Sequence, residues 1–282
     1  MVHNTQKRNK DRVLYVVGYA FVTLFFIATL YPLLQTLIIS VKPSSEFNLN
    51  PMGLPSEISL SNYINAWAKG NFSQLFMNSV IVTFFTIVFI ILVAAPAAFS
   101  LSKLKVKGEK FLYNYFILGM IVPFQVIMIP LLKYARGLGM INKLSSLIIV
   151  YAALGLAFPI IIYTSFYKSV PNELLEAARI DGCSIFGAFW RIIFPMTSTI
   201  NVTVCIFAGL QPWQDFFVPL IFSNDNSAKT LPLGMFNFSS QFFTDWTVVF
   251  AAIVIQSLPM IILYLVMQKK FISGITAGAV KG

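Results

Sequence analysis

Six long runs without a charged residue constrain the fold of this chain more than any other feature. About 20 apolar residues in a helix cross a hydrocarbon core of about 30 Å, and each run is long enough for one crossing. Their pattern predicts an all-α membrane protein with six transmembrane helices. The runs cover residues 13–40, 71–102, 111–132, 144–167, 192–214 and 246–268.

Composition excludes a soluble protein, because 57% of the residues are hydrophobic and only 11% are charged. A soluble domain of 282 residues needs a charged shell that this chain lacks. The net charge of +10 comes from short basic clusters between the apolar runs, so it indicates membrane topology rather than nucleic-acid binding. Residues 13–40 are also too long for the apolar part of a cleavable signal peptide.

The positions of Lys and Arg predict the orientation in the membrane. Placing the N-terminus in the cytoplasm puts most of the 20 basic residues on that side, as the positive-inside rule requires. Residues 1–12 and 269–282 are then cytoplasmic tails, and the loop at 171–195 is cytoplasmic too. The chain is predicted to be a multi-pass protein surrounded by membrane lipid.

Between the first two runs, residues 41–70 form a polar segment that this orientation places outside the cytoplasm. Its first half is rich in Pro, Ser and Asn and is predicted to be a loop. Its second half predicts a short interfacial helix with Tyr63 and Trp67 on one face. Residues 71–268 then form a core domain with the other five helices.

The loop at 171–195 carries charges at helical spacing and predicts a short helix, a turn and a second helix. Pro171 suits the first helical position, and Gly182 suits the left-handed conformation that ends a helix, giving about eleven helical residues. Small side chains at Ala177 and Ala178 allow a partner to approach closely. The flanking charged residues that can orient such a partner are Glu173, Glu176, Arg179 and Asp181. A helix lying on lipid is the alternative, although such helices usually carry mainly basic residues on their polar face.

Two separated motifs resemble those of a known family. In the loop, Glu176-Ala177-Ala178 are followed, after three residues, by Gly182 and, after nine more, by Ile192-Ile193-Phe194-Pro195. This pattern is similar to the EAA loop of bacterial ATP-binding-cassette (ABC) importer permeases of the type I, maltose-permease-like group, with Phe194 and Cys183 as departures. The C-terminal tail also resembles the family's G-x-T-x-G-x-V-K-G segment, through Gly274, Thr276, Gly278 and Lys281.

The resemblance implies a type I importer permease fold with a cytoplasmic coupling helix, in the bacterial inner (cytoplasmic) membrane. It implies four kinds of partner: a second homologous permease subunit, two ATPase subunits, an extracytoplasmic solute-binding protein and a carbohydrate, most often an oligosaccharide. The coupling loop and the C-terminal tail would contact the ATPases, with Glu176 meeting a basic residue. No G-x-x-x-x-G-K-[ST] motif occurs in the sequence, so ATP and Mg are expected on the partner ATPases and no cofactor on this chain.

The family also implies that the outer loop at 223–245 reaches the binding protein. Polar and aromatic side chains within the spans have two interpretations: they line the path of a sugar, or they connect packed membrane helices. These residues are Gln125, Tyr151, Asn201 and Gln211.

An ion-coupled secondary transporter is the alternative function. Such carriers usually place charged groups within the membrane, whereas Asp215 is the one acid near membrane depth here and is expected to be a solvated or paired helix-end residue. Neither a catalytic residue nor a metal site is predicted, because the single His is in the N-terminal tail and the two cysteines are far apart. The energy for transport is therefore expected to come from another subunit.

Overall fold

The computed structural model describes the backbone of residues 2–68, 71–104, 106–235 and 245–279, and the side chains of residues 14–68, 71–104, 106–235 and 245–269. Within these ranges the protein is mostly helical and has no strand. The helices are α1 (Val2–Ser40), α2 (Ser44–Leu49), α3 (Ser61–Ala68), α4 (Phe72–Lys103), α5 (Glu109–Ile121), α6 (Phe124–Gly137), α7 (Leu144–Gly155), α8 (Ala157–Ser169), α9 (Glu173–Ile180), α10 (Ile185–Ala188), α11 (Phe194–Met196), α12 (Ser198–Gln214), α13 (Phe217–Phe222), α14 (Leu231–Gly234) and α15 (Trp246–Ala279). A π-helical segment, Phe189–Ile193, joins α10 to α11.

Three of the predicted spans are continuous helices, and three are bent pairs. The continuous ones are Leu14–Ser40, Phe72–Lys103 and Trp246–Lys269. The pairs α5–α6, α7–α8 and α10/α11–α12 are bent by 99°, 49° and 80°, so the described residues contain six spans if each pair counts as one.

Prolines explain two of these bends. Val122, which precedes Pro123, has an extended backbone with ψ of 114°, as steric contact with a following proline favours, and this separates α5 from α6. Pro159 lies four residues after Gly155 and has no N–H to donate to the carbonyl oxygen of that glycine, at which α7 ends. By contrast, Pro96 and Pro259 lie inside continuous helices.

Packing divides the chain into two units, of which the larger comprises residues 71–237 and 256–282. Its centre is α4, which packs against α7, α8 and α12. Small side chains at Ala94, Ala95 and Ala98 are fully buried, which lets neighbouring helices approach closely. The core therefore forms around one continuous helix.

The smaller unit comprises residues 1–70 and 238–255, and its polar segment is organised around Lys42. The ammonium of this fully buried lysine donates hydrogen bonds to the carbonyl oxygens of Asn50 and Gly53, at 2.8 and 2.5 Å. Asn62 on α3 donates to the carbonyl oxygens of Ser40 and Lys42. The predicted helix in the second half of this segment is confirmed as α3, but the first half contains α2 and is not only a loop.

The described part of the C-terminal tail continues the last long helix. Helix α15 continues through Ala279, because it extends a long apolar helix and needs no new nucleation. Gly274, Thr276 and Gly278 therefore lie on a helix, and Lys281 lies outside the described residues.

Candidate functional site

Helix α9 forms the first half of the loop with the EAA pattern. It spans Glu173–Ile180 and thus begins two residues later than predicted, after Asn172, whose carbonyl oxygen accepts hydrogen bonds from the backbone of Leu175 and Glu176. Its end is as predicted: Gly182 has φ of +79°, and its N–H donates to the carbonyl oxygen of Arg179. The sequence therefore defines where this helix stops.

The two faces of α9 differ in burial. Ala178 is 3% exposed, and Leu175 packs against the hydrophobic core, so this face lies on the chain's own body. Ile180 on the opposite side is 87% exposed. The remaining predicted coupling residues are also exposed: Glu173, Glu176, Ala177 and Arg179 on α9, and Asp181 and Gly182 directly after it.

Lys103, at the end of α4, fastens the start of this loop to the core. Its Nζ donates hydrogen bonds to the carbonyl oxygen of Val170 at 2.5 Å and to Oδ1 of Asn172 at 2.9 Å. Its charge also interacts with that of Glu173. Sequence reasoning treated Lys103 only as a topology signal, since nothing in the sequence distinguishes it from the lysines that follow.

The second half of the loop is short and aromatic. Ser184 caps α10 by accepting the backbone N–H of Gly187 at 3.1 Å, and Phe186 is 72% exposed. The π-helical segment then brings Phe189 and Trp190 into edge contact, with ring centroids 4.8 Å apart. An aromatic turn thus connects α9 to α12.

The four predicted path residues fall into two groups. Tyr151 is 1% exposed and donates to Oδ2 of Asp215 at 2.9 Å, and Asn201 accepts from the hydroxyl of Tyr163 at 2.6 Å. These two therefore connect helices within the chain. Gln125 and Gln211 have exposed side chains, and of the four they remain free to contact a neighbour or a solute.

Asp215 is a paired helix-end acid, as the sequence predicts. Besides accepting from Tyr151, its Oδ2 accepts the backbone N–H of Val218 at 2.9 Å at the start of α13. Its Oδ1 accepts the backbone N–H of Phe217 at 3.3 Å, so both oxygens of this carboxylate make contacts that fix the start of α13.

The described part of the outer loop is fixed to α4. Asn78 donates to the carbonyl oxygens of Ser227 and Lys229, and Ser79 accepts the backbone N–H of Leu231 at 2.8 Å. Hydrogen bonds from the side chain and backbone of Ser227 lower the pKa of the exposed Asp225. The middle of the predicted binding-protein loop, residues 236–244, lies outside the described residues.

The architecture is that of a helical multi-pass membrane protein with a structured polar loop between its fourth and fifth spans. The family described as "Binding-protein-dependent transport system inner membrane component" matches residues 90–276. The chain belongs to this family and is the permease subunit of an ABC importer, as its two sequence motifs predicted.

Relatives match over nearly the whole chain. It is 38% identical to the "Probable ABC transporter permease protein YurM" of Bacillus subtilis, over 98% of this chain and 93% of the relative. It is 34% identical to the "Multiple sugar-binding transport system permease protein MsmG" of Streptococcus mutans, over 97% of this chain and all of the relative. It is also 34% identical to the "Probable starch degradation products transport system permease protein AmyC" of Thermoanaerobacterium thermosulfurigenes, over 89% of this chain and 91% of the relative.

A solved structure confirms the type I importer permease fold. It is described as a bacterial ABC transporter involved in the import of the acidic polysaccharide alginate, and one of its chains superposes with a TM-score of 0.84. The match covers 93% of this chain and 98% of that one at 23% identity.

Proposed function

We propose that this permease carries a carbohydrate, in the form of an oligosaccharide delivered by an extracytoplasmic binding protein, and that partner ATPases drive transport through α9.

 The single observation that carries this proposal is the arrangement of α9, which exposes one face while its other face packs on the core around α4. A helix held in this way can bind a partner on its exposed face and transmit the partner's movement to the spans.

The exposed side of the loop suits a protein partner better than water. Ile180 and Phe186, which lie on α9 and α10 of this loop, are 87% and 72% exposed, and exposed apolar surface marks interaction sites. Glu173 and Glu176 border this apolar surface and favour a partner with basic residues. The family resemblance supports an ATPase groove as that partner, with ATP and Mg bound there.

The loop has two connections through which movement can reach the spans. At one end, Lys103 joins Val170 and Asn172 to the end of α4. At the other end, α10 and the π-helical segment lead into α12. When ATP closes the ATPase dimer, the two loops of a permease pair would move together and rock the spans between inward- and outward-facing states.

The complete transporter then consists of this chain, a second homologous permease, two ATPases and a binding protein, with both termini and the loop at 171–195 in the cytoplasm. The family's dependence on a binding protein supports this composition. So does a second solved structure, at 13% identity and a TM-score of 0.70, described as an alginate transporter in complex with a pentasaccharide-bound periplasmic protein.

The carbohydrate class is supported by the relatives, several of which are described as carrying sugars or starch degradation products. In this chain, the exposed amides of Gln125 and Gln211 can exchange hydrogen bonds with hydroxyl groups of a solute. An exposed amide at membrane depth is costly in lipid, so these side chains are expected to face a permease partner or a water-filled path.

The test is to purify the tagged chain in mild detergent, identify the proteins that accompany it, and measure ATP hydrolysis and sugar uptake in proteoliposomes. Glu176→Lys and Gly182→Asp should leave membrane insertion unchanged but abolish uptake. Glu57→Lys is the control, because Glu57 is also an exposed glutamate but lies in the polar segment between the first two spans. Uptake without ATP by the chain alone would refute the proposal and favour an ion-coupled carrier.

A further inference from the structure

The turn around Met52, which follows α2, folds back along the first span. Nε2 of Gln35 on α1 donates a hydrogen bond to the carbonyl oxygen of Met52 at 3.3 Å. The hydroxyl of Tyr31, one helical turn earlier, lies 3.8 Å from the sulfur of Met52. Both contacted residues precede the end of α1 at Ser40, so the turn lies beside the span and not beyond it.

The contacted part of α1 is at membrane depth. The span Leu14–Ser40 has 27 residues and is therefore about 40 Å long, whereas the hydrocarbon core is about 30 Å thick. Tyr31 is about 26 Å from Leu14 and about 14 Å from Ser40 along the helix. Any 30 Å core placed within these limits includes Tyr31, so the sulfur of Met52 contacts a residue that belongs to the hydrocarbon core.

Side chains satisfy the backbone of this turn. Nζ of Lys42 donates to the carbonyl oxygens of Asn50 and Gly53, and Gln35 donates to that of Met52. Oδ1 of Asn50 accepts the backbone N–H of Gly53 at 3.0 Å. Water would satisfy these groups in an exposed loop, whereas irregular backbone at membrane depth needs partners within the protein. The fully buried ammonium of Lys42 therefore makes this turn compatible with lipid.

The surface of the same stretch is apolar. Residues 47–55 contain no charged residue. Large apolar side chains here are 68–88% exposed: Leu49, Met52, Leu54 and Ile58. An exposed apolar surface of this kind marks an interaction site, and the hydrocarbon around the first span is the apolar medium that adjoins it.

Helix α3 is held against the end of the span. Asn62 donates to the carbonyl oxygens of Ser40 and Lys42, and the hydroxyl groups of Tyr63 and Ser40 are 2.7 Å apart. Ile64, two residues after the inward-facing Asn62, is 68% exposed. Helix α3 therefore lies at the boundary of the membrane with an apolar side chain turned away from the chain.

We propose that residues 47–64 form a hook that inserts into the membrane leaflet at the Ser40 end of the first span. The turn around Met52 lies among the acyl chains, and α3 lies at the level of the headgroups. Lipid is thus the partner of this surface, and the hook fixes the depth of α1, whose residues 14–34 are all exposed. In the orientation proposed above this is the outer leaflet. The insertion depends neither on the solute nor on ATP.

The experiment measures the depth of a spin label in the purified transporter in lipid nanodiscs. The label is attached to Leu54→Cys or, as the water-exposed reference, to Asn224→Cys in the loop after α13, with both native cysteines replaced by serine. Electron paramagnetic resonance gives the collision rates with oxygen, which concentrates in lipid, and with a nickel chelate, which stays in water. The Leu54 label should lie about 5–10 Å below the headgroup boundary, whereas the Asn224 label should be open to the chelate.

Gln35→Leu should release the turn, because it removes the donor to the carbonyl oxygen of Met52. The fraction of Leu54 labels that the chelate reaches should then rise about fivefold. Thr36→Val is the matched control, since the neighbouring Thr36 hydroxyl donates only to the carbonyl oxygen of Pro32 in its own helix. It should leave the Leu54 label at its original depth.

Four results would overturn the insertion. Equal access of the chelate to the Leu54 and Asn224 labels would place the turn in water. Access of neither reagent to the Leu54 label would show that a protein surface covers the turn. An unchanged depth in Gln35→Leu, or an equal change in Thr36→Val, would show that the contact with α1 does not hold the hook in lipid.

Discussion

Replacing Lys103 by methionine should loosen the coupling loop without unfolding the spans. Methionine retains most of the apolar length of the side chain but removes the ammonium group that bonds Val170 and Asn172, at 2.5 and 2.9 Å. The start of α9 would then be attached to the core mainly through Leu175 and Ala178. We therefore expect α9 to detach more often from the end of α4.

The size of this effect follows from the two hydrogen bonds. A hydrogen bond to a charged group contributes about 1.5–3 kcal/mol, and water partly replaces it where the donor is accessible. Lys103 is only partly buried, so we assign about 2 kcal/mol to both bonds together. Since each 1.4 kcal/mol is a factor of ten, the detached state should become about 30-fold more populated.

Hydrogen–deuterium exchange of the purified complex measures this population. Backbone amides of α9 should exchange about 30-fold faster in Lys103→Met, while those of α4 and α8 should be unchanged, because opening is confined to the loop. Lys107→Met is the control, since Lys107 is exposed nearby and has no described bond to the loop. Exchange within twofold of wild type, or equal acceleration in the control, would refute the fastening role.

Two further substitutions test the packing of the described helices. In Gly234→Ala, the added Cβ would lie 2.0 Å from Cδ1 and 3.0 Å from Cγ of Leu75. We therefore expect the complex to lose about 1–3 kcal/mol of stability, measured as a lower melting temperature. Adding Leu75→Ala to the same chain should restore part of this loss, because it removes the clashing atoms. Tyr151→Phe removes the hydrogen bond to Asp215 but retains the ring, so we expect the complex to lose about 1 kcal/mol of stability in the same assay and to retain sugar uptake. Loss of uptake at unchanged stability would instead place Tyr151 on the solute path.

The sequence was sufficient to locate the spans and the end of the coupling helix, because both depend on local chemistry. Charge-free runs identify segments that lipid can surround, and a glycine at position 182 identifies where a helix can turn left-handed, as its φ of +79° confirms. The start of α9 was misplaced by two residues because Pro171 is compatible with a first helical position but does not require it.

The shape of the spans was less predictable, because it depends on packing. Each of the six apolar runs contains a proline, yet Pro96 and Pro259 lie in continuous helices while Pro123 marks a 99° bend. The same ambiguity applies to polar residues: the sequence could not show that Tyr151 and Asn201 bond to other helices while Gln211 remains exposed. Each outcome is decided by residues far away in the chain.

The bend between α5 and α6 implies that this span enters the membrane before it acquires its final shape. The two arms have 13 and 14 residues, so each is only about 20 Å long and is too short to cross the hydrocarbon core by itself. A straight segment satisfies its backbone in lipid, whereas the broken one leaves polar groups that neighbouring helices must cover. We therefore expect the segment to leave the translocon as one straight helix and to bend only during assembly, so that copies without a partner present an unfinished surface to membrane proteases.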